Sequence, residues 1–230
     1  MTQAPRARPT LAVFDFDGTL TRRDTSLAFL AFAVGRRRLA GALVRGAPLF
    51  FADLRSVLGR GAAYERWEIE VHIRLLRALF GGSARARVRD LGRRFATGAM
   101  GAMVAPAALE QVAWHRAQGH RCALVTASLD CYAEPWGWRA GFHDVVASRL
   151  AHDDRGTIQS GFHGGACWGE TKLARLREVV GPLDRYTVVV YGNGAGDRPL
   201  LARADHPVRV RTRVRWQRLA AGVREALHAA

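Results

Sequence analysis

The stretch VFDFDGTLT, residues 13–21, constrains this chain more than any other. The apolar run TLAVFDF (10–16) is too short for a helix and reads as a buried strand. It ends in two carboxylates, Asp15 and Asp17, followed at once by Gly18, which lets the chain turn sharply. Ligands of open α/β sheets bind beyond the C-terminal ends of the strands, where this pair sits. Side chains two apart on a strand point the same way, so Asp15 and Asp17 are expected to converge on one point. Carboxylates that close need a cation or a shared proton. An oxygen-liganded Mg2+ meets that need, since it accepts a few carboxylates and keeps waters and a phosphate oxygen.

The rest of the chain alternates in the way such a strand requires. RCALVTA (121–127), RYTVVVYG (185–192) and HPVRV (206–210) read as further strands. PAALEQVAWHRAQGH (106–120) and GETKLARLREVVG (169–181) read as helices stopped by Gly119 and Gly181. Strands alternating with helices predict a doubly wound, mostly parallel α/β sheet with helices on both faces. Residues 24–100 break the alternation with consecutive helical segments; Ile69, Ile73, Leu76 and Phe80 recur at helical spacing, with Glu65 and Arg66 on other faces. The expected organisation is a catalytic core of residues 1–23 and 101–230, with an all-helical insertion over 24–100. SRLAHDDRGTIQSGFH (148–163) reads as a hairpin around DDRG.

A second glycine-rich turn follows the strand at 185–192. YGNGAGDRPLL (191–201) carries Asn193 and Asp197 and fits neither the dinucleotide fingerprint nor the P-loop.

Taken together, DFDGTL at the end of the first strand, VTAS (125–128), WGETKLARL (168–176) and YGNGAGDRPLL resemble, in order, the motifs of the haloacid dehalogenase superfamily. The chain is most similar to its phosphoserine phosphatase-like subfamily IB, in the branch containing phosphatidylglycerophosphatase C-like and other small-molecule phosphatases. The resemblance implies a Rossmannoid core with an inserted helical type-1 cap. It also implies a Mg2+-dependent phosphomonoester hydrolase working through an aspartyl-phosphate. Asp15 would be the nucleophile and Asp17 the general acid and base. Thr126, Ala127, Lys172 and the backbone amides of Phe16 and Gly18 would bind phosphate. The metal would be held by Asp15, the Asp17 carbonyl and the loop residues Asn193 and Asp197, either of which could be the direct ligand, Asp197 also through a water. The family pattern has a carboxylate at position 193, so this chain offers the metal one negative charge fewer. Asp24 sits where relatives place an acidic substrate-binding residue, and equally where a helix N-cap belongs. His72 and Arg74 are the cap residues in reach of a substrate, with a half-buried histidine and a solvated arginine as the plainer readings.

Lys172 carries information without the family. It is one lysine among 35 basic residues, the others being arginine. A compact ammonium in a tight site is the physical reason to keep a lysine where guanidinium cannot substitute.

The same arginine bias discounts the net charge of +15 as a sign of a specific polyanion partner. Cys122, Cys131 and Cys167 form no CxxC pair, which points to a reducing compartment and away from a disulfide scaffold. His163 with Cys131 and Cys167 matches no standard zinc spacing. Trp136 and Trp138 are expected to pack at the sheet edge. The N-terminus MTQAPRARPT lacks an apolar core and reads as a short tail, not a signal peptide. LAGALVRGAPLFFADL is broken by Arg45, Pro48 and Asp53 and cannot span a membrane. The expectation is a cytoplasmic protein, with peripheral association to an anionic membrane left open.

The substrate is expected to be a soluble phosphometabolite or an amphiphilic lipid phosphate. Two alternatives stand beside hydrolysis. One is a low-activity scaffold holding nucleic acid or protein on its basic surface, although RVRTRVRWQR (208–218) reads better as a solvated face than as a nucleic-acid site. The other is phosphotransfer to an alcohol acceptor. The sequence does not fix the oligomeric state.

Overall fold

A computed structural model of the chain describes residues 8–57, 61–210 and 216–228. The side chains of 48–57, 61–68, 217, 218 and 228 fall outside that description, as does the tail 1–7. The side chains of Glu65, Arg66 and PLFFADL (48–54), and residues 211–215 of the basic tract altogether, therefore lie outside the described residues.

The α/β expectation is met by a five-stranded parallel sheet in the order β3-β2-β1-β6-β7. Its strands are β1 (Thr10–Phe14), β2 (Arg121–Leu129), β3 (Asp144–Ser148), β6 (Thr187–Gly192) and β7 (His206–Arg209). β1 is the middle strand, paired in parallel with β2 on one side and β6 on the other. Alternation along it sends Ala12 and Phe14 into one hydrophobic cluster and Leu11 and Val13 into another on the opposite face. In β6, Val189 and Tyr191 face the first cluster, while Val188 and Val190 face the second. Strands buried on both faces have no polar side to show, which explains their unbroken apolar character.

Helices α5 (Pro106–Ala117), α6 (Asp130–Ala140) and α9 (Trp216–His228) contribute to the first cluster. Helices α7 (Glu170–Val180) and α8 (Arg198–Leu201) contribute to the second. β3 and α6 were not read from the sequence. β3 is short, and α6 carries Pro135 inside it. Trp136 is buried against Phe16 with ring centroids 4.8 Å apart, whereas Trp138 is half exposed. Trp136 is thus packed, but beside the end of the central strand and not at the sheet edge, and Trp138 is not packed away.

After Leu20 the chain runs through four consecutive helices, α1 (Thr25–Val34), α2 (Arg36–Val57), α3 (Gly61–Phe80) and α4 (Arg85–Thr97). The outgoing and returning segments are tied together: Arg22 N–H donates to the Met103 carbonyl at 2.8 Å, and Ala105 N–H to that of Leu20 at 2.9 Å. Phe29, Phe80 and Phe95 from these helices pack with Tyr132 of α6 into the first cluster. The expected hairpin is present as antiparallel β4 (Leu150–His152) and β5 (Ile158–Phe162). It docks on the end of α3, where Ile158 N–H bonds the Ser83 carbonyl at 2.9 Å. None of the helices among the described residues is long and apolar enough to cross a membrane.

Candidate active site

The chain order changes direction at β1, and the residues that follow it open at that switch point. Asp15 continues the alternation that turns Leu11 and Val13 toward α7, and there it meets Lys172. The Lys172 Nζ donates to Asp15 Oδ1 at 2.7 Å and to Asp197 Oδ1 at 2.5 Å. All three residues are buried. Lys172 lies in the first turn of α7, where the helix dipole disfavours a cation. The two carboxylates outweigh that. Burial alone would lower the Lys172 pKa, but the charges of Asp15 and Asp197 raise it above its ordinary value.

Asp15 is pushed the other way. Burial raises its pKa, Lys172 opposes the rise, and the nearby Asp197 charge adds to it. Thr19 Oγ1 donates to its second oxygen at 2.9 Å, and the Phe16 amide also favours its charged form. One buried ammonium thus serves two buried carboxylates, and the cluster is short of positive charge.

Asp17 does not converge with Asp15 as strand periodicity predicts. The strand ends at Phe14, and the chain swings through a single wide turn over Phe16–Leu20 with Gly18 at φ 74°. The period of two no longer holds there. Asp17 turns instead toward β2 and α1, accepting from Ser128 Oγ at 2.5 Å and from Thr25 N–H at 2.7 Å. Burial and the Asp24 charge raise its pKa to about 6, against the opposing hydrogen bonds of Ser128 and Thr25.

The loop after β6 is folded around Asp197, whose Oδ2 accepts from the amides of Asn193 at 2.9 Å and Gly194 at 3.0 Å. That leaves the Asn193 side chain to reach across to the Asp17 carbonyl, 3.0 Å away. Gly18 is required twice over at this contact. Its φ is positive, and a Cβ there would stand 2.2 Å from Asn193 Nδ2. Gly196 is equally confined, because Trp168 packs directly over it.

The remaining expected residues divide. Thr126 is buried and accepts the Ser128 amide at 3.0 Å. The Gly18 amide is engaged with Thr21 Oγ1 at 3.2 Å. Asp24 caps α1 through the Leu27 amide at 3.0 Å, as the N-cap reading expects, and it also lines a cavity of about 180 Å3 beside Asp17. His72 and Ala127 line the same cavity. Burial lowers the His72 pKa, with the Asp24 charge opposing. Arg74 is not among the lining residues and pairs with Glu70 one turn earlier on α3, at 3.1 Å. A wider cleft of about 650 Å3 opens between α4, α6 and the hairpin, and none of Asp15, Asp17, Lys172 or Asp197 lines it.

Sequence reasoning missed Ser26, Ile69, Ser128, Phe162 and Trp168, all on the walls of the small cavity. Ser128 lies in β2 past the register shift that follows Val125, where the period of two no longer tells which side a residue takes. The others come from separate elements and carry no local signature.

Among the described residues no three His, Cys, Asp or Glu side chains are grouped to hold a metal. Cys131 and Cys167, raised above as zinc candidates, lie in the clusters on opposite faces of the sheet. A Mg2+ here would draw on hard oxygens of mixed type. Of the four expected ligands, the Asp15 carboxylate, the Asp17 carbonyl and the Asn193 amide fit that demand, and the shortage of positive charge around Asp15 favours it; Asp197 has both oxygens engaged, one by Lys172 and one by the loop amides.

Comparison with known proteins bears on the family and the fold. Residues 12–202 match the haloacid dehalogenase-like hydrolase family. The chain is 33% identical over 205 residues to Protein CicA of Caulobacter vibrioides, covering 89% of this chain and 87% of that protein. A protein of unknown function from Bordetella pertussis Tohama I superposes with a TM-score of 0.66 at 23% identity, covering 97% of this chain and 96% of its own. A phosphoserine phosphohydrolase-like protein from Francisella tularensis superposes at 0.54 with 13% identity, covering 86% and 84%.

Proposed function

The chain belongs to the haloacid dehalogenase-like hydrolase family, and from that premise we propose that it hydrolyses phosphomonoesters through an aspartyl-phosphate with Mg2+ as cofactor. The observation that carries this reading is the buried Asp15–Lys172–Asp197 cluster at the end of the central strand.

Asp15 attacks phosphorus in line; its Oδ–P bond forms as the ester O–P bond breaks. Asp17 donates a proton to the departing alkoxide, then takes one from the water that attacks the aspartyl-phosphate, releasing phosphate and restoring Asp15. Its pKa of about 6 suits both halves of that cycle near neutral pH. Lys172 holds Asp15 in place and neutralises charge on the transferring phosphoryl group. The Thr126 hydroxyl, its oxygen already accepting the Ser128 amide, keeps its hydrogen for a phosphoryl oxygen. The Ala127 and Phe16 amides would serve as further donors, and the Gly18 amide would join them on leaving Thr21. Asp15, the Asp17 carbonyl and Asn193 would hold Mg2+, which would supply the remaining charge compensation for the phosphoryl group. Asp197 acts through Lys172 and the loop amides.

The alcohol half of the ester lies in the cavity walled by Ile69, Phe162 and Trp168, with Asp24 and His72 at its polar edge. Those walls and that size favour a small phosphometabolite over a bulky lipid. Phosphate release by the wild-type protein with Mg2+ and its loss in Asp15→Asn test the reading; undiminished turnover in that variant would overturn it.

A further inference from the structure

Four hydroxyl groups form a chain of contacts leading to Asp17, and nothing in the reaction above uses them. Ser128 Oγ donates to Asp17 Oδ2 at 2.5 Å. Ser128 Oγ also lies 3.2 Å from Thr25 Oγ1. Thr25 Oγ1 also reaches Tyr132 Oη at 3.3 Å, and Ser26 Oγ lies 3.3 Å from that same phenol oxygen. Ser128, Thr25 and Tyr132 are fully or almost fully buried. A buried cluster of this kind is costly unless every member is satisfied, and here each hydroxyl has a partner.

The cluster joins three elements, β2 through Ser128, α6 through Tyr132 and the start of α1 through Thr25 and Ser26. Tyr132 is itself fixed by Phe29 and Phe95, with ring centroids 4.9 and 5.5 Å away. The carboxylate of Asp17 is therefore anchored to the rigid sheet through hydroxyls whose own places are set by aromatic packing. We propose that Ser128, backed by Tyr132, is a positioning residue that holds the Asp17 carboxyl in the orientation needed to protonate the leaving alcohol. This role rests on the reading of Asp17 as the general acid.

Proton donation matters for an alkoxide and hardly at all for a stabilised aryloxide, and that contrast separates orientation from general damage. In Ser128→Ala, kcat for β-glycerol phosphate is expected to fall about tenfold further than kcat for p-nitrophenyl phosphate, the loss falling on kcat more than on KM. Ser128→Thr, which keeps the hydroxyl, is expected to restore the ratio. Tyr132→Phe removes one oxygen without changing the packing and is expected to shift the ratio the same way by less. Equal losses on the two esters, or no loss, would overturn the positioning role while leaving the phosphatase reading standing. A wild-type protein inactive on both esters would overturn both.

Discussion

The side-chain amide of Asn193 donates to the carbonyl oxygen of Asp17 at 3.0 Å, a contact that ties the loop after β6 to the turn after β1. A carboxylate at 193 would set like partial charges face to face until a cation came between them. Asn193→Asp is therefore expected to melt below the wild type in EDTA, and to close or reverse that gap in saturating Mg2+. The Mg2+ concentration for half-maximal activity should fall as well. An unchanged Mg2+ requirement would place Asn193 outside the metal's neighbourhood.

Lys172 offers a test of why one lysine persists in an arginine-rich chain. Lys172→Met leaves Asp15 and Asp197 buried without their cation and is expected to cost roughly 3–5 kcal/mol of stability by denaturant titration. Lys172→Arg keeps the charge, but a planar fork does not fit where one ammonium lies 2.7 and 2.5 Å from two carboxylates. Its turnover is expected to drop by about 10²–10³-fold. Wild-type rates in the arginine variant would mean that charge alone suffices.

Much of this site was legible before the structure because its signals are local. An apolar run ending in Asp15, the following Gly18 and the single lysine each stand out within a few residues of sequence. The orientation of Asp17 was not legible, because it depends on where β1 stops, and Phe14 and Phe16 look equally strand-like in isolation. The cavity walls were hidden for a different reason. Phe162 comes from the hairpin, Trp168 from the approach to α7 and Ile69 from α3, and only tertiary packing brings them together. β3 and α6 escaped because Pro135 and a five-residue strand give weak periodicity.

Gly18→Ala attacks the same contact as Asn193→Asp from the other side. A left-handed φ costs a residue with a Cβ about 1–2 kcal/mol. The new methyl must also displace the Asn193 amide, which stands 2.2 Å from its ideal position. We expect a modest loss of melting temperature together with loss of the stabilisation that Mg2+ gives the wild type. If the variant kept its full Mg2+-induced shift in melting temperature, the Asn193–Asp17 contact would have no part in holding the metal.

Asp17 carries a cost to stability that its proposed role in catalysis explains. Its carboxyl titrates at about 6 in the fold, against 3.8 for an ordinary aspartate, first because it is buried and then because Asp24 is near. Between those two pH values the folded chain binds the proton that the unfolded chain has released. Stability from this group therefore falls as pH rises through the window, and above it the ionised carboxylate costs on the order of 1–3 kcal/mol. Asp17→Asn removes the charge, keeps an acceptor for the Thr25 amide and gives Ser128 a donor to meet. In EDTA the variant is expected to be more stable than wild type above about pH 6 and to converge with it as pH falls toward about 4. Its hydrolysis of alkyl phosphates should be lost over the whole range. A stability difference that stayed constant with pH would assign the gain to packing and not to the buried charge.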